Sequence, residues 1–222
     1  MRATAVIPAY NEASRIGRVL AAAAGAESVD EVIVVDDGSE DETARVAAAH
    51  DGAVVVRWRD NRGKAAAVRE GARRARNRVV VFLDADLVGL TPKHVDDLAT
   101  PVLAGEADMT VGQFRGGNRW LSLWQQLVPS ISGQRALEAG HLLAIADLEQ
   151  TGFGVEVALT RYAARRRLRT RRVYLSDVSH VIKEQKRGVV RGLCGRAVMY
   201  GQMLKWLLLD GHRGGAEGAP EE

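Results

Sequence analysis

In the first ninety residues four short apolar runs alternate with three helix-patterned segments, and this alternation restricts the fold more than any other feature of the chain. "TAVIP" is a short β-run closing at Pro8. "EASRIGRVLAAAAG" is patterned as a helix, with Asn11 as its expected N-cap and Gly25 as its stop. "EVIVVDD" is a continuous β-branched run of the kind buried on both faces of a sheet. "DETARVAAAH" (helix), "AVVVRW" (strand), "GKAAAVREGARRAR" (helix, with Val68 and Ala72 on one face) and "RVVVFLD" (strand) follow. Such alternation builds βαβ units and a mostly parallel sheet, so an α/β fold with a Rossmann-like first half is expected.

The second half is mixed. "TPKHVDDLATPVL" is expected to be a helix with Thr91 as N-cap and Pro92 at its first position. "DMTVGQF" reads as a strand, "RGGNRW" as a glycine-rich loop, "VEVALTRYAARR" as a helix, "RRVYLSDV" as a strand and "GVVRGLCGRAVMYGQMLKWLLLD" as a long last helix. Residues 211–222 have no periodicity and read as a mobile tail. Without a linker or repeat, residues 1–210 are expected to form one domain. The single cysteine, Cys194, excludes an internal disulfide and a cysteine-rich zinc site. No run approaches the ~18–20 apolar residues that span a bilayer. "MRATAVIP" lacks a signal-peptide core, which fits a cytoplasmic protein. A net charge of +3 accommodates a phosphorylated ligand but does not point to nucleic acid.

The strand ends carry the chemistry. In open α/β sheets, ligands bind at the carboxyl ends of strands. Strand one ends in "PAYNE", strand two in "DDGS" and strand four in "DADLVG". Asp36 and Asp37 either contact a ligand there or simply open a turn. Gly63 and Lys64 open a helix, where amides and an ammonium suit phosphate oxygens. Asp84 and Asp86 are like charges one residue apart, costly away from water unless a cation accompanies them. In an extended segment both would face one site, and a divalent cation could bridge them to phosphates. A nucleoside diphosphate pocket follows. The first βα turn has no G-x-G-x-x-G, so a dinucleotide dehydrogenase is excluded. "DADLV" imitates the loop of haloacid-dehalogenase-type phosphatases, but three βα units precede it here.

"IPAYNEASRIGRVL", "EVIVVDDGSEDET", "RGKAAAVREG" and "VVFLDADLVGL" together resemble the nucleotide-binding half of GT-A glycosyltransferases of family 2. In the second half, "GFGVEVALT", "VYLSDVSHVIKE" and the long helix resemble glucosyl-3-phosphoglycerate synthases. The resemblance implies a nucleotide-sugar-binding half (residues 1–90) and an acceptor half (residues 91–210). It implies a nucleoside pocket lined by Pro8, Ala9, Tyr10 and Glu12, with Asp37 near the base or ribose and Gly63 and Lys64 beside uracil and phosphate. Asp84, Ala85 and Asp86 would meet ribose and metal, Asp86 and His180 would ligate Mn²⁺ or Mg²⁺, and Lys183 would reach the pyrophosphate. Catalysis would rest on Asp86, on Lys183 and on Glu156, the last orienting acceptor hydroxyls. The donor would be a UDP-sugar such as UDP-glucose, with retention of configuration. "SGQRALEAG" lacks the acidic pair of an inverting base, although Glu138 lies in it.

Asp37 replaces the small polar residue usual in the synthases, and "GGNRW" departs from their acceptor loop. From the residues themselves, Gly116, Gly117, Asn118 and Arg119, with Arg115, suit an anionic acceptor, either a small phosphorylated or carboxylated alcohol or a lipid phosphate. Seven arginines between Arg161 and Arg172 could touch a membrane surface or a phosphorylated acceptor, or form a solvated face. His180 is either a ligand or a packed histidine. The last helix packs on the domain or on a second subunit of a homodimer. A phosphatase and a non-catalytic nucleotide-sugar-binding subunit stay open as alternatives.

Overall fold

The computed structural model describes residues 1–115, 133–146, 148 and 154–180. Its strands are β1 (Ala3–Ala9), β2 (Val29–Asp36), β3 (Ala53–Arg57), β4 (Val79–Phe82), β5 (Leu87–Val88), β6 (Met109–Arg115), β7 (Arg135–Glu138), β8 (Thr170–Ser176) and β9 (Ser179–His180). Its helices are α1 (Ile16–Ala24), α2 (Thr43–Ala48), α3 (Lys64–Arg74), α4 (Pro92–Leu103), α5 (Ala139–Leu143) and α6 (Gly154–Arg166). Seven strands form one sheet in the order β3-β2-β1-β4-β7-β6-β8, and β5 pairs separately with β9. β1 is parallel to both β2 and β4, and β2 to β3. β7 runs antiparallel between β4 and β6. Residues 1–181 group as one compact unit. The expected domain extends to residue 210, past the described residues, as do the last helix and the tail.

Successive strand residues bury against opposite layers, as a sheet covered on both faces requires. Ile7, Val34 and Val81 join Ile16, Leu20 and Leu98 in one cluster, while Val6, Val80 and Phe82 join Val68, Leu137 and Leu159 in the other. β1 continues through Pro8 to Ala9, one residue beyond its expected end. The missing proline N–H is harmless, because it faces the β4 side, where pairing has already stopped at Val6 opposite Phe82.

Asn11 is not a helix cap. It adopts φ 56, a left-handed conformation that asparagine tolerates, and its Oδ1 accepts from Glu40 N at 2.9 Å. α1 starts later, at Ile16, after an N-cap at Arg15. α4 matches expectation, with Thr91 and His94 in a reciprocal capping box and Pro92 at its start. The stretch before Gly154, expected to be of mixed structure, contains β7 and α5.

Gly71 lies mid-helix in α3, where a Cβ would run into the Val6 side chain of β1. Alanine normally gains ~1 kcal/mol over glycine in a helix. Here overpacking, ~1–3 kcal/mol, should win. Gly71→Ala should therefore lower the midpoint of urea unfolding, and a raised midpoint would show that α3 can move off the sheet.

The last part of the arginine-rich segment, from Arg169, lies at the end of the sheet opposite the carboxyl ends of β1, β2 and β4. Arg169 pairs with Asp108 at 2.7 Å, and Arg171 with Glu106 at 2.8 Å, where β6 and β8 begin. These two arginines are thus not presented to the end that carries Asp84. Hydrogen bonds from the Arg169 side chain and backbone hold the Asp108 carboxyl down at about 2. A depressed carboxylate stabilises the fold above its ordinary range, and that stabilisation disappears as pH falls towards 2. Asp108→Asn should lower the melting temperature near neutrality and lose that effect in acid. A difference constant with pH would disprove the linkage.

Candidate active site

β1, β2 and β4 finish on one side of the sheet, and α3 begins there. Asp36 ends β2 with its side chain fully buried. Its Oδ1 accepts from Ser39 N at 3.2 Å. Its Oδ2 has no hydrogen-bond partner, although Arg57 Nε lies 3.5 Å away. Asp37 turns to the loop before α3 and accepts from Arg62 N at 2.6 Å and Gly63 N at 2.9 Å. Burial raises the Asp37 pKa, and these two bonds only partly offset it, so it lies above the usual carboxylate value. Gly63 takes φ 91, open to glycine at little cost, and starts α3 at Lys64. Asp37 thereby holds the loop that delivers Lys64. Arg62 stacks over Trp58 at 4.7 Å in the same loop.

Lys64 is the hub. Its Nζ lies 2.5 Å from Asp84 Oδ1 and 2.6 Å from Glu156 Oε1. Burial lowers its pKa, but the Asp84 and Glu156 carboxylates outweigh this, leaving it well above the ordinary lysine value. With 40% of the side chain exposed, both ion pairs are partly screened. Asp84 Oδ2 also accepts from Gln134 Nε2 at 2.9 Å. Gly133 leaves room for this carboxylate, since a Cβ there would collide with it. Pro8, Lys64, Asp84, Arg135 and Glu156 line a single cavity. Three residues picked out in the sequence on separate grounds, Lys64, Asp84 and Glu156, are thus in direct contact.

The two acids of "DADLV" are not in a strand. β4 stops at Phe82, Leu83 N donates to Val6 O, and Asp84–Asp86 form a turn into β5. The same-face argument drawn from extended geometry therefore fails, and Asp84 is turned towards Lys64 and Gln134. Ala85 is buried at 4% exposure, which anchors the turn. Leu87, next to Asp86, pairs with His180 across the β5–β9 ladder. Gly89, at φ 82, leaves no space for a Cβ against Asp177 O, so that ladder needs glycine there.

Among the described residues no cluster of three or more metal-ligating side chains is assembled. At the level of backbone register, Asp86 and His180 nevertheless come from adjoining positions. A carboxylate and an imidazole form a donor set suited to Mn²⁺ or Mg²⁺.

The remaining expected residues divide. Ala9 is buried at 3% exposure, and Tyr10 is 42% exposed. Glu12 holds Arg15 at 2.8 Å, and its amide bonds to Thr43 Oγ1. Glu138 pairs with Arg78 at the far end of β7, away from the cavity, so it is no base for this site. Gly116, Gly117, Asn118, Arg119 and Lys183 lie outside the described residues. Gln134, Arg135 and Thr160 join the site beyond the expected residues; the signal for the first two is the polar, non-acidic pair in "SGQRALEAG", and Thr160 ends "GFGVEVALT".

The model of glycosyl transferase family 2 matches residues 4–155. The 4,4'-diaponeurosporenoate glycosyltransferase of Staphylococcus aureus is 40% identical over 100 residues, which cover 43% of this chain and 26% of that protein. The match thus spans about a quarter of the length of this curated relative. Among solved structures, glucosyl-3-phosphoglycerate synthase of Mycobacterium tuberculosis with phosphoglyceric acid is 30% identical, with a TM-score of 0.67 over 82% of this chain and 72% of that one. The same enzyme with Mn²⁺, UDP and phosphoglyceric acid gives a TM-score of 0.72 at 28% identity, over 98% and 80%. It has also been solved with Mg²⁺ and UDP. The mixed α/β sheet is that of a GT-A glycosyltransferase. No helix among the described residues is long and apolar enough to cross a membrane.

Proposed function

The chain belongs to glycosyl transferase family 2, and from that premise we propose that it moves glucose or a similar hexose from a UDP-sugar to the hydroxyl of a small anionic acceptor. The observation that carries this reading is the contact of Lys64 with Asp84 and Glu156, a cation bridging the nucleotide-binding half and the acceptor half. The loop held by Asp37 presents Lys64 where the donor diphosphate would lie. Pro8, Ala9, Tyr10, Glu12 and Asp36 would border the nucleoside, and Ala85 would anchor the turn beside the ribose. Asp86 and His180 would hold Mn²⁺ or Mg²⁺, whose chemistry is to neutralise charge on the departing diphosphate. Lys183 would add positive charge to the same group. Glu156 would fix the acceptor hydroxyl. The acid-free approach of β7, with Glu138 turned away, favours retention over an inverting base from that stretch.

An acceptor with phosphate or carboxylate suits Arg115, Gly116, Gly117, Asn118 and Arg119, and phosphoglyceric acid is bound by the mycobacterial enzyme. The lipid-phosphate option loses two arginines of that segment, because Arg169 and Arg171 pair with acids at the other end of the sheet.

A thermal-shift screen of nucleotide sugars with and without Mn²⁺ tests donor and cation together. UDP and UDP-glucose should raise the melting temperature only with metal, by roughly 2.7 kcal/mol of stabilisation at a hundredfold excess over Kd. No shift with any uridine nucleotide would overturn the donor assignment.

A further inference from the structure

Beneath Lys64 a second layer of polar groups closes a ring. Gln134 Nε2 donates to Asp84 Oδ2 at 2.9 Å. The next residue, Arg135, opens β7 and is 1% exposed. Its Nη2 donates to Thr160 Oγ1 at 2.9 Å, and Thr160 Oγ1 donates to the Glu156 carbonyl at 2.8 Å, one turn back along α6. The side chains of Glu156 and Asp84 then meet at Lys64 Nζ. Two consecutive residues, Gln134 just before β7 and Arg135 at its start, thus lead to the two carboxylates that grip one ammonium.

Packing does not require this arrangement. A buried guanidinium costs several kcal/mol of desolvation that an apolar side chain would avoid, and Ala136 and Leu137 already fill the strand's core positions. Arg135 feels that cost: burial pulls its pKa down to about 10, opposed by the Glu156 carboxylate. It stays charged at neutral pH. The ring confers fixed placement instead, since Thr160 locks the turn of α6 that carries Glu156 and Gln134 locks Asp84.

We propose that Gln134, Arg135 and Thr160 are positioning residues that set the separation and orientation of Asp84 and Glu156 across the sugar-transfer site. The proposal rests on the transferase reading above. Misplacing reacting groups by about 1 Å can cost up to a hundredfold in rate. The loss should therefore fall on kcat, with donor affinity preserved.

The test compares Thr160→Val, which keeps shape and removes the hydroxyl, with Thr160→Ser, which keeps the hydroxyl. Turnover is measured with UDP-glucose, Mn²⁺ and phosphoglyceric acid, and UDP affinity by calorimetry. Thr160→Val should lower kcat about tenfold with KM for UDP-glucose and UDP affinity within about twofold of wild type. Thr160→Ser should restore most of the rate. Wild-type kcat in Thr160→Val, or a serine variant as slow as valine, overturns the proposal. Arg135→Gln should be slower still; if it fails to fold, the Thr160 pair remains decisive. A crystal structure of Thr160→Val separates this idea from its premise. Unchanged Lys64–Glu156 and Lys64–Asp84 distances defeat the ring whatever the activity. A wild-type protein that neither binds UDP nor consumes UDP-glucose defeats the transferase reading, while those distances still judge the ring.

Discussion

Replacing Asp86 by alanine should abolish cation-dependent UDP binding and lower sugar transfer by roughly three orders of magnitude, the scale expected when several kcal/mol of charge stabilisation are removed from the leaving group. Asp86 occupies the turn between β4 and β5, and its neighbours, Ala85 in that turn and Leu87 at the start of β5, are buried. The variant keeps both buried neighbours and should stay folded while it loses function. The informative comparison is calorimetric titration of UDP with Mn²⁺ present, then with chelator, for wild type and Asp86→Ala. Loss of the metal effect in the variant, with an unchanged melting temperature, assigns the carboxylate to the cation. UDP binding that ignores both chelator and substitution would remove the metal from the mechanism.

Lys64→Ala should come next in size, with kcat/KM down about a hundredfold and UDP affinity reduced. Two causes act together. The donor phosphates lose an ammonium, and Asp84 and Glu156 lose the charge between them. Because the paired carboxylates hold the Lys64 pKa above its ordinary value, the lysine stays charged throughout the neutral range, and no activity limb near neutrality should trace to it. Lys64→Arg should rescue poorly, since a planar fork does not replace a compact ammonium between two acids. Stability should change little, given the exposure of the side chain. A Lys64→Ala enzyme with wild-type UDP affinity and turnover would remove the central contact from the proposed function.

The parts of this fold that could be read in advance are those whose signal is local. β1 to β4 are runs of valine and isoleucine punctuated by glycine and aspartate, so their existence, order and ligand-bearing ends follow from short windows. β7 could not be read that way. "RALE" has no β-branched or aromatic residue, and it becomes a strand because β4 and β6 offer it partners on both sides. The two-residue strands β5 and β9 span a single strand period, too short for an alternation to show. Asn11 misled for a related reason: its side chain serves an amide 29 residues away, not the helix that follows it. Within the site, residue types pointed to Lys64, Asp84 and Glu156, but the partner that orients Asp84 lies 50 residues on.

One reversed strand changes how the rim is supported. β1, β2 and β4 reach it at their last residues, so the donor-side groups project beyond the ladder like cantilevers, braced by loop contacts such as those of Asp37. β7 reaches the same rim at its first residue, with Arg135 paired to Phe82 on one side and Val111 on the other. That end is clamped from behind. The donor-side groups Asp37 and Lys64 are therefore held by loop contacts, whereas Arg135 is held within the ladder itself.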